Sequence, residues 1–275
     1  MKKAVEIAII SDVHLGTYGC HAKELLNYLN SIDPQILILN GDIIDIWQFS
    51  KRYFPESHMQ VIKKIIDMSA STTKVYYISG NHDELFRKFI PMKLGNIEFV
   101  NKLFLRVNGK KLWVFHGDIY DFTMKQTKWL AKLGGKGYDL LILMNRLINR
   151  ALNFFGKEKV SFSKTIKNSV KKALQFIDDY EKTIAEMAEQ NGSHYVACGH
   201  IHTPCIKEIM TKNTVVNYLN SGDWVESLTA LEYIDNEWEI FHYQDNIPKV
   251  ESSLKFNKLS YEDIIRDTGN WERAS

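Results

Sequence analysis

Apolar positions fall into two rhythms along this chain. In the first hundred residues, short β-rich runs alternate with helical stripes. The run 5–10 has the near-continuous apolar character of a central strand covered on both faces. Residues 21–31 place Leu25, Leu26 and Leu29 on one helical stripe, and 36–39 is a second buried strand with Pro34 marking the turn before it. Residues 56–70 form an amphipathic helical pattern, and 74–78 a third strand. This βαβαβ order implies right-handed crossovers and a mainly parallel sheet layered with helices.

After residue 96 the rhythm shortens. Strand patterns occur at 97–100, 103–107 and 111–115, and again at 195–198, 205–210, 215–219, 229–234 and 239–243. Between the two groups, residues 122–191 read almost wholly as helix. A break that long inside a sheet is an insertion, expected to cap one edge of a core made of 1–121 and 192–245. The remainder, 246–275, is polar, with a weak helical signal at 261–266, and reads as a C-terminal extension.

Composition adds limits. The 275 residues are 45% apolar and 12% aromatic, enough for one large core. The three cysteines, Cys20, Cys198 and Cys205, show no CxxC spacing, which favours a reduced, cytoplasmic setting. Met1-Lys2-Lys3 before an apolar run resembles the start of a signal peptide, but Glu6 interrupts the run and no small-residue cleavage site follows. No apolar segment reaches the roughly 18 residues of a spanning helix.

The candidate chemistry lies in five short motifs: Asp12-Val13-His14, Gly41-Asp42, Gly80-Asn81-His82-Asp83, His116-Gly117-Asp118 and Gly199-His200-Ile201-His202. Each follows an apolar strand run directly. The carboxyl ends of strands in an open α/β sheet form one rim, where ligands bind. Carboxylate, imidazole and amide oxygen without thiolate suit manganese, iron or zinc. About seven such donors exceed the needs of one tetrahedral ion and suit two ions sharing a carboxylate. Such a pair polarises phosphoryl oxygens and activates a bridging water. His21, His58, His194 and His242 read as surface or core residues rather than ligands.

Taken in order, the DxH, GD, GNHD, HGD and GHxH blocks resemble the calcineurin-like metallophosphoesterase superfamily. The resemblance implies a four-layer α-β-β-α sandwich with a helical cap insertion. It implies Asp12, His14 and His202 on one metal and Asn81, His116 and His200 on the other, with Asp42 bridging. His82 matches the family's non-ligand histidine, which protonates or stabilises the leaving oxygen, and Asp83 would orient it through a hydrogen bond.

The insertion bears on the substrate. Residues 124–172 hold twelve Lys or Arg against two acidic residues, a local excess of ten positive charges in a chain of net charge +2. Interleaved with these are Leu140, Leu143, Leu147, Ile148 and Phe154. Apolar and basic residues at helical spacing suit an anionic lipid surface or acyl chains. The same stripe could instead pack on the core, or the basic patch could track a nucleic-acid backbone.

The long insertion followed by Asn220-Ser221-Gly222-Asp223-Trp224-Val225-Glu226-Ser227 is similar to the UDP-2,3-diacylglucosamine pyrophosphatase (diphosphatase) branch. That branch holds the acyl chains of a lipid A precursor under its cap and, with manganese preferred, releases the lipid monophosphate and UMP. It carries Arg where this chain has His82, which places the chain among the branch's relatives. The resemblance implies a phosphorylated small molecule or glycolipid substrate and peripheral contact with the inner face of the membrane. Arg150, Lys164 and Lys167 are candidate phosphate or sugar contacts. Two other functions fit the same motifs: a phosphodiesterase or nuclease acting on nucleotides or nucleic acid, and a non-catalytic scaffold. The full ligand set argues against the scaffold.

Overall fold

The computed structural model describes residues 2–47, 53–118 and 162–243, with backbone alone described over 162–173. Its elements are β1 (Lys3–Ile10), α1 (Ala22–Ser31), β2 (Ile32–Asn40), α2 (Glu56–Ala70), β3 (Lys74–Ile78), β4 (Met92–Leu94), β5 (Ile97–Val100), β6 (Leu103–Val107), β7 (Lys110–Val114), α3 (Phe162–Gln190), β8 (Tyr195–Cys198), β9 (Cys205–Met210), β10 (Val215–Asn220), β11 (Thr229–Ile234) and β12 (Glu237–His242).

The strands form two sheets. One runs β12-β11-β1-β2-β3-β5-β4, and the other β6-β7-β8-β10-β9. The βαβαβ expectation holds in the first, where β1, β2, β3 and β5 pair in parallel. Pro34 differs from expectation. It lies inside β2 opposite Val5, not in a turn before the strand. β3 pairs with β2 only from Ile36 onward, so Pro34 has a neighbouring strand on one side alone, a position where a strand tolerates proline.

Alternation along the strands explains why both sheets bury two faces. In β1, Ala8 and Ile10 pack against Leu25, Tyr28 and Leu29 of α1 and Val61 and Ile65 of α2. Ile7 and Ile9 face the other way and meet Leu112, Val114, Ala197 and Leu219 of the second sheet. The outer face of that sheet presents Trp113, Val196, Cys198 and Tyr218 to Tyr180, Ile184, Ala185 and Ala188 of α3. Three apolar interfaces therefore separate four layers in the order α-β-β-α.

The later part of the stretch expected as a cap thus serves as the outer helical layer of the sandwich. Its apolar positions recur at Tyr180, Ile184 and Ala188, four residues apart on one helical face. Residues 122–161, including Arg150, and the extension 246–275 lie outside the described residues, as do the side chains of Lys164 and Lys167. No helix among the described residues is long and apolar enough to cross a membrane.

Candidate metal centre

Five strand ends converge on one rim. Those of β1, β2 and β3 come from the first sheet and those of β7 and β8 from the second. Backbone bonds lock the loops together. Asp12 N–H donates to Gly41 O at 3.0 Å, His14 N–H to Asp42 O at 2.9 Å, and Gly199 N–H to His116 O at 3.0 Å. Asn40 crosses between sheets, with its amide donating to Phe115 O at 3.2 Å and its carbonyl 2.9 Å from His116 Nδ1.

The backbone at these strand ends is unusual. Asp12, His14, Asp42, His200 and His202 all have φ between 52° and 67°, in the left-handed region. For non-glycine residues this costs about 1–2 kcal/mol each and persists only where the surroundings impose it. Residues two apart in a regular strand share a face. Here the left-handed turns redirect them, and His200 and His202 diverge to different donor groups. Glycine is required beside them. A Cβ on Gly41 would sit 2.2 Å from His116 Nδ1, and one on Gly80 2.2 Å from Asp42 Oδ1.

The donors fall into groups whose ligand atoms lie within 4.8 Å of one another: Asp12, His14 and His202 in one, and Asp42, His116 and His200 in a second. Asp42 Oδ2 stands between the groups, 3.4 Å from His116 Nε2 and 4.0 Å from His14 Nε2. Asp42 Oδ1 accepts from His82 N–H at 2.8 Å, and Asp12 Oδ2 from His200 N–H at 2.9 Å. Each carboxylate thus has one oxygen fixed by backbone, with the other turned toward the imidazoles.

That inner space fits cations. Asp12 Oδ1, Asn81 Oδ1 and His116 Nε2 are buried without a hydrogen-bond partner among the described residues, although His202 Nε2 lies 3.1 Å from Asp12 Oδ1. Close donors that do not bond to one another are what an ion between them requires. The electrostatics agree. Burial alone would lower the His116 pKa, but Asp42 and Asp12 outweigh it and hold the pKa at about 10. His202, whose side chain is 37% exposed, is held at about 9 by Asp12 and Asp223 against its partial desolvation. Burial raises the Asp42 pKa and His116 outweighs it, bringing it to about 2; Asp12, facing His202, is also lowered. The centre favours positive charge strongly enough to hold protons on buried imidazoles.

This sets a pH dependence. In chelator-treated protein at pH 7, His116 and His202 carry protons that an incoming cation must displace. Metal uptake is expected to release roughly one proton per site, and apparent affinity to rise about tenfold per pH unit for each displaced proton between pH 7 and 9. Because both pKa values lie above the ordinary histidine value, the stability these two imidazoles contribute to the metal-free fold is fully present below about pH 6.5 and is lost as pH rises toward 9–10. Calorimetry in buffers of different ionisation enthalpy measures the protons released; none released would contradict this charge state.

One sequence expectation is corrected. Asp83 does not orient His82. Its carboxylate turns away, accepting from Gly80 N–H at 2.6 Å, Ile43 N–H at 2.9 Å and Tyr77 O–H at 2.6 Å. Those three donors make it a brace between the Gly41 and Gly80 loops. The carboxylate facing His82 belongs to Asp45, whose Oδ2 is 3.0 Å from His82 Nδ1 and 3.6 Å from His14 Nδ1. Ile46 N–H donates to His82 O at 3.2 Å, and the Trp47 ring lies 4.7 Å from the His82 ring. Sequence reasoning missed Asp45. The available signal was a second carboxylate three residues after Asp42 in the same strand-end loop. His58, read as core or surface, is buried, and its Nδ1 accepts from Gly16 N–H at 2.9 Å, steadying the loop that carries His14.

A four-layer sandwich with this donor set on its rim defines a metal-dependent phosphoric ester hydrolase, and the chain belongs to the calcineurin-like phosphoesterase family, whose profile matches residues 5–204. Within the family, the chain is similar to the UDP-2,3-diacylglucosamine hydrolase of Ectopseudomonas mendocina, at 23% identity over 243 residues, covering 84% of this chain and 95% of that protein. The enzyme of the same name from Blochmanniella pennsylvanica is 24% identical over 227 residues, covering 80% and 88%. Among solved structures, an archaeal phosphodiesterase aligns over 86% of this chain and 98% of its own, with 12% identity and a TM-score of 0.42.

Proposed function

We propose that the protein is a dinuclear-metal pyrophosphatase that hydrolyses a UDP-sugar-lipid of the UDP-2,3-diacylglucosamine type to the lipid monophosphate and UMP. The observation that carries the metal chemistry is Asp42 Oδ2 standing between two imidazole-bearing donor groups. Asp12, His14 and His202 would hold one ion, and Asn81, His116 and His200 the other, with Asp42 shared. Manganese is the expected ion, with iron or zinc also suited to these donors. When bound, the pair supplies Lewis-acid polarisation of the phosphoryl oxygens and a nucleophile usable at neutral pH.

The chain's own residues do the rest. Asp45 fixes the His82 ring through Nδ1, which leaves Nε2 to carry a proton toward the departing oxygen. Trp47 packs beside that ring, with 4.7 Å between ring centres. Asp83 braces the loop that presents Asn81 and His82. The UDP-lipid substrate is supported by the relatives' printed activity, by their near full-length match, and by the basic and apolar composition of 124–172. Contact with the membrane face and sugar or phosphate contacts from Arg150, Lys164 and Lys167 belong to the same reading.

The test is direct. Manganese-loaded protein is offered UDP-2,3-diacylglucosamine, the unacylated UDP-sugar and bis-p-nitrophenyl phosphate. UMP release is expected from the first with much higher kcat/KM than from the second. Turnover of the aryl diester with no UMP from the lipid would retain the phosphoesterase and overturn the lipid substrate. No turnover of any of the three would remove the enzymatic reading.

A further inference from the structure

We infer that Asp223 is a positioning residue for His202, holding that imidazole from behind as the protein takes up metal. The inference rests on the metal reading above and adds a residue from a different part of the chain. Asp223 follows β10 and is fully buried. Its Oδ1 accepts from Val225 N–H at 2.8 Å, Ser227 N–H at 3.2 Å and Glu226 N–H. Its Oδ2 accepts from Ser227 Oγ at 2.9 Å and faces His202 Nδ1 at 3.9 Å. Among the described residues, His202 is its ion-pair partner. A buried carboxylate without Lys or Arg beside it is costly unless it serves another cation.

The His202 ring lies between two carboxylates, in hydrogen-bond reach of Asp12 and at ion-pair distance from Asp223. His202 Nε2 points at Asp12 Oδ1, 3.1 Å away, and Nδ1 at Asp223. The mounting is rigid. Trp224 N–H donates to Asp12 O at 3.1 Å, His21 N–H to Trp224 O at 2.9 Å, and the Asn220 amide to Gly199 O at 2.9 Å. The turn that carries Asp223 is thereby bonded to both ligand loops it serves.

His14 and His202 each have a carboxylate behind Nδ1, from Asp45 and Asp223, whereas His116 has the neutral carbonyl of Asn40. A carboxylate behind an imidazole fixes its tautomer and raises its basicity toward a metal. The carboxylates behind His14 and His202 therefore strengthen the hold of the group containing Asp12 on its ion.

Asp223→Asn separates this role from simple turn-capping, because the amide oxygen still accepts the three backbone N–H groups while the charge is lost. Mn²⁺ is titrated calorimetrically into chelator-treated protein. Wild type is expected to take two ions per chain. Asp223→Asn is expected to weaken one of the two by about 10–100-fold and leave the other within about twofold, with the melting temperature of the metal-free protein nearly unchanged. Ser227→Ala loosens the turn but keeps the carboxylate, and is expected to bind both ions as wild type does. Wild-type affinities in Asp223→Asn, or equal weakening in both variants, would overturn the assignment. Fewer than two ions in wild type would instead bring down the metal reading itself, and this inference with it.

Discussion

Asp42→Asn is expected to abolish phosphoesterase turnover and lower metal content from two ions per chain to one, while the protein still folds. Asp42 Oδ1 is committed to His82 N–H at 2.8 Å, and an amide oxygen can replace it there. Asp42 Oδ2 has no such substitute. It stands 3.4 Å from His116 Nε2 and 4.0 Å from His14 Nε2, and it is the atom the two ions are proposed to share. An amide nitrogen in that place presents hydrogens to the cations. Several kcal/mol of charge stabilisation depend on the ion pair, so kcat/KM should fall by about 10³-fold or more. Elemental analysis beside bis-p-nitrophenyl phosphate hydrolysis measures both quantities. Two ions retained with near-normal turnover would sink the shared-carboxylate reading.

The fold was legible where burial is two-sided. Runs such as Ala8–Ile10 and Leu37–Leu39 are apolar throughout because helices cover one face and a second sheet the other. The partition into two sheets was implied by the family resemblance and not by the apolar pattern. Pairing Ile9 with Leu231 joins the two ends of the described fold, and no local pattern encodes that register. The 122–191 stretch shows a related limit. Over 162–190 its helical character was evident, but only the packing of Tyr180, Ile184 and Ala188 against β8 and β10 shows that its last turns are a core layer.

The site divides the same way. Asp12, His14, Asp42, Asn81, His116, His200 and His202 announce themselves by residue type at strand ends. Residues that orient others do not. Asp83 adjoins His82 in sequence, and adjacency suggested pairing, yet neighbours in a loop point apart and its carboxylate turns to Tyr77 and two backbone amides. Asp45 and Asp223 sit among apolar neighbours in loops, and their roles depend on which imidazole the tertiary fold brings to them. Donor type is written locally, whereas orientation is settled by contacts distant in sequence.

The second large effect concerns that orientation. His82→Ala is expected to lower turnover by about 10²–10⁴-fold with both ions still bound, the range for losing a positioned general acid. Asp45→Asn is expected to fall between wild type and His82→Ala. The ring keeps its place beside Trp47 but loses the carboxylate 3.0 Å from Nδ1 that fixes its orientation. Asp45 also lies 3.6 Å from His14 Nδ1, so metal content must be measured in the same samples. Turnover lost in step with metal would make Asp45 a support of the ion site alone, whereas turnover lost at full occupancy assigns it to holding the ring that His82 presents to the departing oxygen.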